Sequence, residues 1–150
     1  ARWRMTALFA FVAAAWFVAA AGPPADPAKK DLEKLAGTWV MESLEVDGKQ
    51  VPEEKLKGTT LEIKGDKYIV TTKDDRYEVT LKLDPGKKPK EIDMIFPNGA
   101  ELPKVRKGIY ELGEDTFKIC RGQGDNQERP TEFGTWPNTG VFLVVWKRSK

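Results

Sequence analysis

Carboxylates are the first residues of this chain whose types and spacing could do chemistry. Glu53 lies beside Glu54, and Asp74 lies beside Asp75; two carboxylates held together can divide the roles of general acid and general base. Neighbours in sequence, however, point in different directions on a strand or a helix, so adjacency does not aim both at one substrate. We therefore predict that these pairs are surface charges. The same prediction applies to three isolated acidic residues that the spacing leaves without a partner: Glu45, Asp93 and Glu111.

Histidine is absent from the sequence, and there is a single cysteine. Without histidine the chain lacks the usual general base, the commonest metal ligand and a proximal haem ligand, and Ser-His-Asp and Cys-His catalysis are excluded. Cys120 cannot form an internal disulfide, and we expect it to be buried in the strand-like run "TFKICRG" rather than to be a spare thiol. The stretch "GQGDNQE" at 122–128 lacks the alternation of a calcium loop. The sequence therefore predicts no enzyme, no metal site and no cofactor.

The N-terminal segment has the layout of a secretory signal peptide. Arg2 and Arg4 precede the apolar run "TALFAFVAAAWFVAAAG", and Ala19 and Ala21 place small residues before a cleavage site after Ala21. The alternative is an uncleaved membrane anchor, for which the run barely reaches the roughly 20 residues that a spanning helix needs. We expect residues 1–21 to be removed and the protein to be exported, to the periplasm or outside the cell. Membrane association is expected only through an uncleaved leader.

The charge balance excludes one class of partner. The chain has 25 Lys and Arg against 23 Asp and Glu, and without Arg2 and Arg4 the two counts are equal at 23. A nucleic-acid-binding protein needs a basic stripe, so no nucleic-acid partner is expected. Residues 22–30, "GPPADPAKK", are predicted to be a stiff spacer. The remainder, 31–150, is long enough for one domain with one core.

Hydrophobic periodicity predicts an all-β fold. In "YEVTLKLD" at 77–84, apolar and polar residues alternate, which is typical of a strand with one buried face. Short turns rich in Gly, Asp and Pro connect most such runs, so consecutive strands should be antiparallel neighbours. An antiparallel meander avoids raw edges by closing into an up-and-down barrel; a β-sandwich is the alternative. The predicted strands are 37–46, 59–64, 67–73, 77–84, 90–96, 107–112, 115–121 and 141–148.

Two short helices and one irregularity accompany the strands. "DLEKLAG" at 31–37 predicts a helix with Asp31 as N-cap and Gly37 as its stop, and 52–58 predicts a second one. In the first strand, alternation from Trp39 would put three apolar residues on the outer face. This indicates either a β-bulge or a contact surface. The three residues are Val40, Leu44 and Val46.

The same alternation nominates the residues that line the barrel. An eight-stranded barrel is wide enough either to hold one small ligand or to be filled by its own side chains, and the sequence leaves both alternatives open. The candidate interior and ligand-binding residues are Met41, Tyr77, Val79, Leu81, Tyr110, Leu112, Phe117, Ile119, Val144 and Trp146.

A short motif suggests how the barrel closes. Gly37, Thr38 and Trp39 begin the first strand, and Arg148 in "VVWKR" ends the last one. In a closed barrel these strands are neighbours, so the guanidinium can lie on the indole and seal one end. The arrangement resembles the lipocalin and wider calycin signature.

A longer resemblance covers nearly all of residues 32–148. It rests on "LAGTWVMESLEVDGKQVP", "KKPKEIDMIF", "GIYELGEDTFKIC" and "ERPTEF". In order and spacing these segments look like a family of small exported domains of unknown function that is abundant in planctomycete bacteria and similar to lipocalins. The resemblance implies a lipocalin-like barrel and export, and it implies no activity.

Two functions from different classes remain open. The first is binding of a small apolar or amphipathic molecule in a cavity of several hundred cubic ångströms, with the long loop 122–140 as a lid whose aromatic residues turn inward. The second is an interaction module with a filled core that recognises a protein or an envelope polymer through loops 97–106 and 122–140. The alternative to the lid is a loop that an Arg129–Glu132 contact and a buried Phe133 pin in place. The candidate lid residues are Arg129, Glu132, Phe133 and Trp136.

Overall fold

The structure, a computed structural model, describes residues 26–97, 104–124 and 127–150. The predicted leader, 1–21, lies outside these residues, as do parts of the two long loops. Two helices are described, α1 (Pro27–Leu35) and α2 (Glu53–Leu56). The strands are β1 (Gly37–Val46), β2 (Lys49–Gln50), β3 (Thr60–Lys64), β4 (Lys67–Thr71), β5 (Arg76–Asp84), β6 (Lys90–Phe96), β7 (Lys104–Leu112), β8 (Thr116–Gly122) and β9 (Val141–Arg148).

The strands close into an antiparallel eight-stranded barrel. From β3 to β9 each strand pairs with the next, β1 pairs with β3, and β1 also pairs with β9, with a register that runs from Trp39 opposite Arg148 to Val46 opposite Phe142. The short β2 adds a hairpin to the edge of β1. The predicted up-and-down barrel is therefore confirmed, and the sandwich is not the fold. Strand β7 begins three residues earlier than the predicted 107.

The hydrophobic core fills the barrel from the end next to α1, which we call the closed end; the opposite end is the open end, or mouth. Alternate residues of every strand point inward, and the largest fully buried side chains are Trp39, Trp146, Tyr110 and Phe117. The ring of Phe117 packs on those of Trp39 and Tyr110, with centroids 6.0 and 6.2 Å apart. Burial of this aromatic layer supplies much of the hydrophobic stabilisation.

A β-bulge corrects the alternation of β1. The register against β9 shifts between Met41 and Ser43, after which Leu44 lies opposite Val144 and shares its inward face. Of the three residues expected on the outer face, Leu44 has therefore turned inward, whereas Val40 stays exposed. The predicted irregularity is a bulge.

Helix α1 begins earlier than expected. Asp26, not Asp31, is its N-cap and accepts a hydrogen bond from the backbone N–H of Ala28, and Pro27 occupies the first turn, where its missing N–H costs nothing. The prediction of Asp31 as N-cap is wrong, and 27–30 are helical rather than spacer. Ala36 is the C-cap, so Gly37 is not the helix stop; it opens β1 at a φ of 127°, which only glycine adopts readily.

Arg148 and Trp39 seal the closed end of the barrel, next to α1. The guanidinium carbon of Arg148 lies 4.2 Å from the centroid of the Trp39 ring. Its N–H groups donate to the carbonyl oxygens of Lys34 and Ala36, while the indole N–H of Trp39 donates to that of Leu35. These carbonyls belong to the C-terminal turn of α1, which has no further helical partners and favours a cation. The predicted closing pair is confirmed.

Neither described helix has the length and hydropathy that crossing a membrane requires.

Candidate functional site

An unfilled space lies inside the described part of the barrel, at the end opposite α1. It is a cavity of about 160 Å³, well below the several hundred cubic ångströms expected for a ligand site. Aromatic layers fill the barrel beneath it. Residues from β1, β4, β5, β8 and β9 line the cavity: Met41, Leu44, Tyr68, Tyr77, Arg121, Phe142, Val144 and Trp146.

Arg121 brings a charge into this apolar lining. It follows Phe117 and Ile119 on the inward face of β8 and lies opposite Phe142 of β9, with its guanidinium carbon 4.8 Å from the centroid of the Phe142 ring. One hydrogen bond from its side chain is found among the described residues, from Nη1 to the carbonyl oxygen of Gly122 at 3.2 Å. Burial lowers the pKa of the guanidinium, although it stays charged at neutral pH.

Gly108 makes room for this arginine. Gly108 is the cross-strand partner of Arg121 on β7, and a Cβ atom there would lie 2.8 Å from the Cβ of Arg121 and 2.7 Å from the carbonyl oxygen of Cys120. Any larger residue would force the strands or the arginine to move. The glycine therefore sets where the Arg121 side chain leaves the barrel wall.

A second arginine lies behind the first. Arg106 is two residues before Gly108 on the same inward face. Its guanidinium carbon lies 4.8 Å from the centroid of the Phe96 ring, and the guanidinium carbon of Arg121 lies 5.7 Å from the same centroid. The Nε atom of Arg106 is buried and has no hydrogen-bond partner among the described residues. The repulsion between the two cations also lowers the pKa of Arg121. Two guanidiniums thus share one aromatic ring.

Tyr68 and Trp146 form the floor of the cavity. The indole N–H of Trp146 donates to the Tyr68 hydroxyl oxygen at 2.9 Å, and the two rings meet edge to face. Among the described residues no acceptor for the Tyr68 hydroxyl proton is found. Burial raises the pKa of Tyr68 well above its ordinary value, so the hydroxyl keeps that proton and stays a donor.

The barrel lining has no negative charge to offset the arginines. According to the strand registers, the inward positions of the eight described barrel strands hold neither aspartate nor glutamate. Glu45 bonds to Thr135 and Gln50, Asp93 bonds to Arg129, and Glu111 is exposed. The carboxylates predicted to be surface charges therefore lie outside the barrel. No cluster of potential metal ligands occurs among the described residues.

The predicted interior residues fall into two groups. Seven are buried in the core: Val79, Leu81, Tyr110, Phe117, Ile119, Val144 and Trp146. Three are less enclosed: Met41 and Leu112 are half-buried, and Tyr77 is 37% exposed at the mouth, where its ring stacks on that of Phe96. Of all ten, Met41, Tyr77, Val144 and Trp146 line the cavity.

The described part of the long loop, 127–140, lies along the outer wall and not over the mouth, contrary to the predicted lid. Arg129 runs along the outer wall, where it donates to the carbonyl oxygens of Ile92 and Gly108 and pairs with Glu91 and Asp93. These four partners are on β6 and β7, so they hold the loop against the side of the barrel. The expected Arg129–Glu132 contact is not found, and Glu132 is exposed.

A second, smaller core lies under this loop. Phe133 packs with Ile109, Cys120 and Val141, which face outward from the barrel. The expected burial of Cys120 is confirmed; its Sγ donates to the carbonyl oxygen of Gly134, and burial raises the pKa of the thiol. Trp136 stays 47% exposed. The aromatic residues of the loop therefore turn toward the outer wall or the solvent, not toward the mouth.

A larger depression near α1 is less suited to binding. It has a volume of about 450 Å³ and is lined by residues that include Asp31, Lys90 and Arg148. The Asp31 carboxylate accepts hydrogen bonds from the Tyr110 hydroxyl and the Lys90 ammonium, and Arg148 bonds to α1. Asp31, Lys90 and Arg148 therefore have partners within the protein, whereas most donors of Arg121 have none among the described residues.

Comparisons of the chain with protein-family models, curated proteins and solved structures find no match. The function is therefore inferred from the residues that line the cavity.

The sequence held a signal for both arginines. Alternation from Phe117 and Ile119 reaches Arg121, and alternation back from Tyr110 passes Gly108 and reaches Arg106. The predicted interior includes apolar residues alone, and the strand predicted for β7 begins at 107. The predicted interior therefore includes neither Arg121 nor Arg106.

Proposed function

We propose that this protein binds one small amphipathic molecule at the open end of its barrel. The observation that carries the proposal is the cavity of about 160 Å³, whose lining is apolar apart from Arg121 and the Tyr68 and Tyr77 hydroxyls. Ligand sites commonly combine an apolar wall with a few polar groups that orient the ligand. An engineered protein cavity of about 150 Å³ holds benzene, so a group of about one ring fits here.

The proposal is for an exported binding protein, not an enzyme. The apolar run with its two preceding arginines and the resemblance to exported lipocalin-like domains support export to the periplasm or beyond. The lack of histidine and the absence of aspartate and glutamate from the inward positions of the described barrel strands support a role without catalysis. A small, partly apolar ligand is the expected partner, and neither nucleic acid nor a cofactor is part of the proposal.

Native mass spectrometry tests the proposal directly. The full chain is expressed in its own host, purified without denaturation and weighed before and after organic extraction. An added mass of a few hundred daltons or less that extraction removes is the expected result. A bare protein mass in every preparation, together with no binding of small aromatic probes, would overturn it.

A second candidate is the interaction module, which one observation favours. Trp136 is 47% exposed on a loop that Arg129 fixes to the wall, and exposed tryptophans often anchor partner proteins. The same spectra distinguish the two functions. A protein-sized adduct that is lost in Trp136→Ala and kept in a cavity-blocking Leu44→Phe variant would favour this candidate.

A further inference from the structure

The open end of the barrel holds two cations where a purely apolar cavity would need none. Arg121 lines the cavity, and Arg106 lies beside the same Phe96 ring. Burying a charge without a partner is costly, so such groups are normally paired in folded proteins. Among the described residues, aromatic faces pack on the two guanidiniums, and no carboxylate bonds to them.

We infer that the ligand is a small organic anion, with a carboxylate-like group held by Arg121 and an apolar group of about one ring in the cavity. The inference rests on the proposed function and names its ligand class. A guanidinium presents a planar set of N–H donors that matches a carboxylate, and most of those of Arg121 have no acceptor among the described residues.

The neighbouring residues fit an anion as well. The buried Nε of Arg106 has no partner within the described ranges, and the charge of this side chain adds to the positive potential at the mouth. The Tyr68 hydroxyl has a proton to donate at the cavity floor. The hydrogen bond between Tyr68 and Trp146 and the aromatic layers beneath it close the barrel below, so a long acyl chain cannot extend inward.

Four residues have distinct parts in this arrangement. Arg121 contacts the anionic group, and Arg106 strengthens the field around it. Gly108 is a positioning residue, because a side chain there would displace Arg121. Leu44, brought inward by the bulge, contacts the apolar group.

Isothermal titration calorimetry on the full chain tests the inference with three probes: benzoate, its neutral analogue benzamide, and inorganic phosphate. We expect benzoate to bind at least about tenfold more tightly than benzamide, since a hydrogen-bonded charge pair is worth about that factor or more. Phosphate, which has no apolar group, should bind more weakly than benzoate. Dodecanoate should gain nothing over hexanoate.

Matched variants locate the effect. Arg121→Met keeps an apolar stem of similar length and should abolish the preference for benzoate. Arg106→Met should reduce it by a smaller factor. Arg76→Met, which removes an exposed cation at the first residue of β5, is the control and should leave it intact. The melting temperature of each ligand-free variant shows whether a loss of binding reflects unfolding.

The outcomes separate the inference from the proposed function. Equal binding of benzoate and benzamide, both blocked by Leu44→Phe, would overturn the anion assignment and keep the cavity as a binding site. The anion assignment would also be overturned if the preference for benzoate survived in both Arg121→Met and Arg106→Met. It would be overturned as well if Arg76→Met abolished the preference as completely as Arg121→Met. If no probe binds the folded protein, the anion assignment is overturned, and the native mass spectra decide separately whether the cavity holds a different molecule.

Discussion

Each end of the barrel carries an arginine over an aromatic ring, and the two arginines differ in what their N–H groups bond. At the closed end, Arg148 lies over Trp39 and donates to two carbonyl oxygens of the α1 turn. At the open end, Arg121 lies over Phe142 and bonds, among the described residues, to the adjacent Gly122 carbonyl alone. The guanidinium at the closed end bonds to the fold, whereas most N–H donors of Arg121 have no acceptor among the described residues.

The largest difference between the ends should appear when each aromatic ring is removed. Trp39→Ala empties a fully buried site and should lower the free energy of unfolding by about 3–5 kcal/mol. Phe142→Ala widens an existing cavity at a half-buried position and should lower the free energy of unfolding by less than about half as much as Trp39→Ala. Urea unfolding measures both. Equal costs would mean that the two ends are packed alike.

Removing the closing arginine should have the next largest effect. Arg148→Ala loses the contact with Trp39, its packing, and the bonds to α1, so we expect a loss of about 1–3 kcal/mol. Thermal unfolding checks this. A midpoint unchanged within error would contradict the role assigned to Arg148 in closing the barrel.

A third arginine extends the comparison to the outer wall. Arg129→Ala removes the bonds to Ile92, Gly108, Glu91 and Asp93 and should cost about 1–2 kcal/mol.

The same variant should expose Cys120. Because burial raises the pKa of this thiol, the folded protein should react with iodoacetamide slowly and only at high pH. Loosening the loop lets the pKa fall toward its ordinary value of about 8.5, so alkylation should become faster and begin at lower pH. Rates unchanged across pH 7–9 would show that Phe133 holds the loop without Arg129.

The smallest effect is expected at the open end. Arg121→Met gives up a cation–π contact but also removes a desolvated cation that Arg106 repels, so the free energy of unfolding should change by less than about 1 kcal/mol, in either direction. Arg148→Met, the same substitution at the closed end, should be clearly destabilising. A greater loss from Arg121→Met would make Arg121 a structural residue.

Local patterns predicted the barrel well. Alternation in β5 and the turn residues between strands set the pairing order, and Trp39 with Arg148 predicted which strands close the cylinder. These predictions agree with the structure because the period of a strand and the residues of a turn depend on a few neighbouring positions.

The site was less accessible from the sequence because it depends on distant contacts. Asp26 and Asp31 both suit an N-cap by type, and only the packing of Asp31 on Tyr110 and Lys90 decides between them. The loop was expected over the mouth, but Arg129 finds its acceptors on β6 and β7 instead. No local pattern in "ERPTEF" specifies those partners.

The seam between β1 and β9 also constrains how the molecule folds. It joins residue 39 to residue 148, so the first strand cannot complete its pairing until the last strand exists. Contacts between residues so far apart in sequence form slowly, because the whole intervening loop must be ordered first. During synthesis one edge of β1 therefore stays unpaired until β9 has been made.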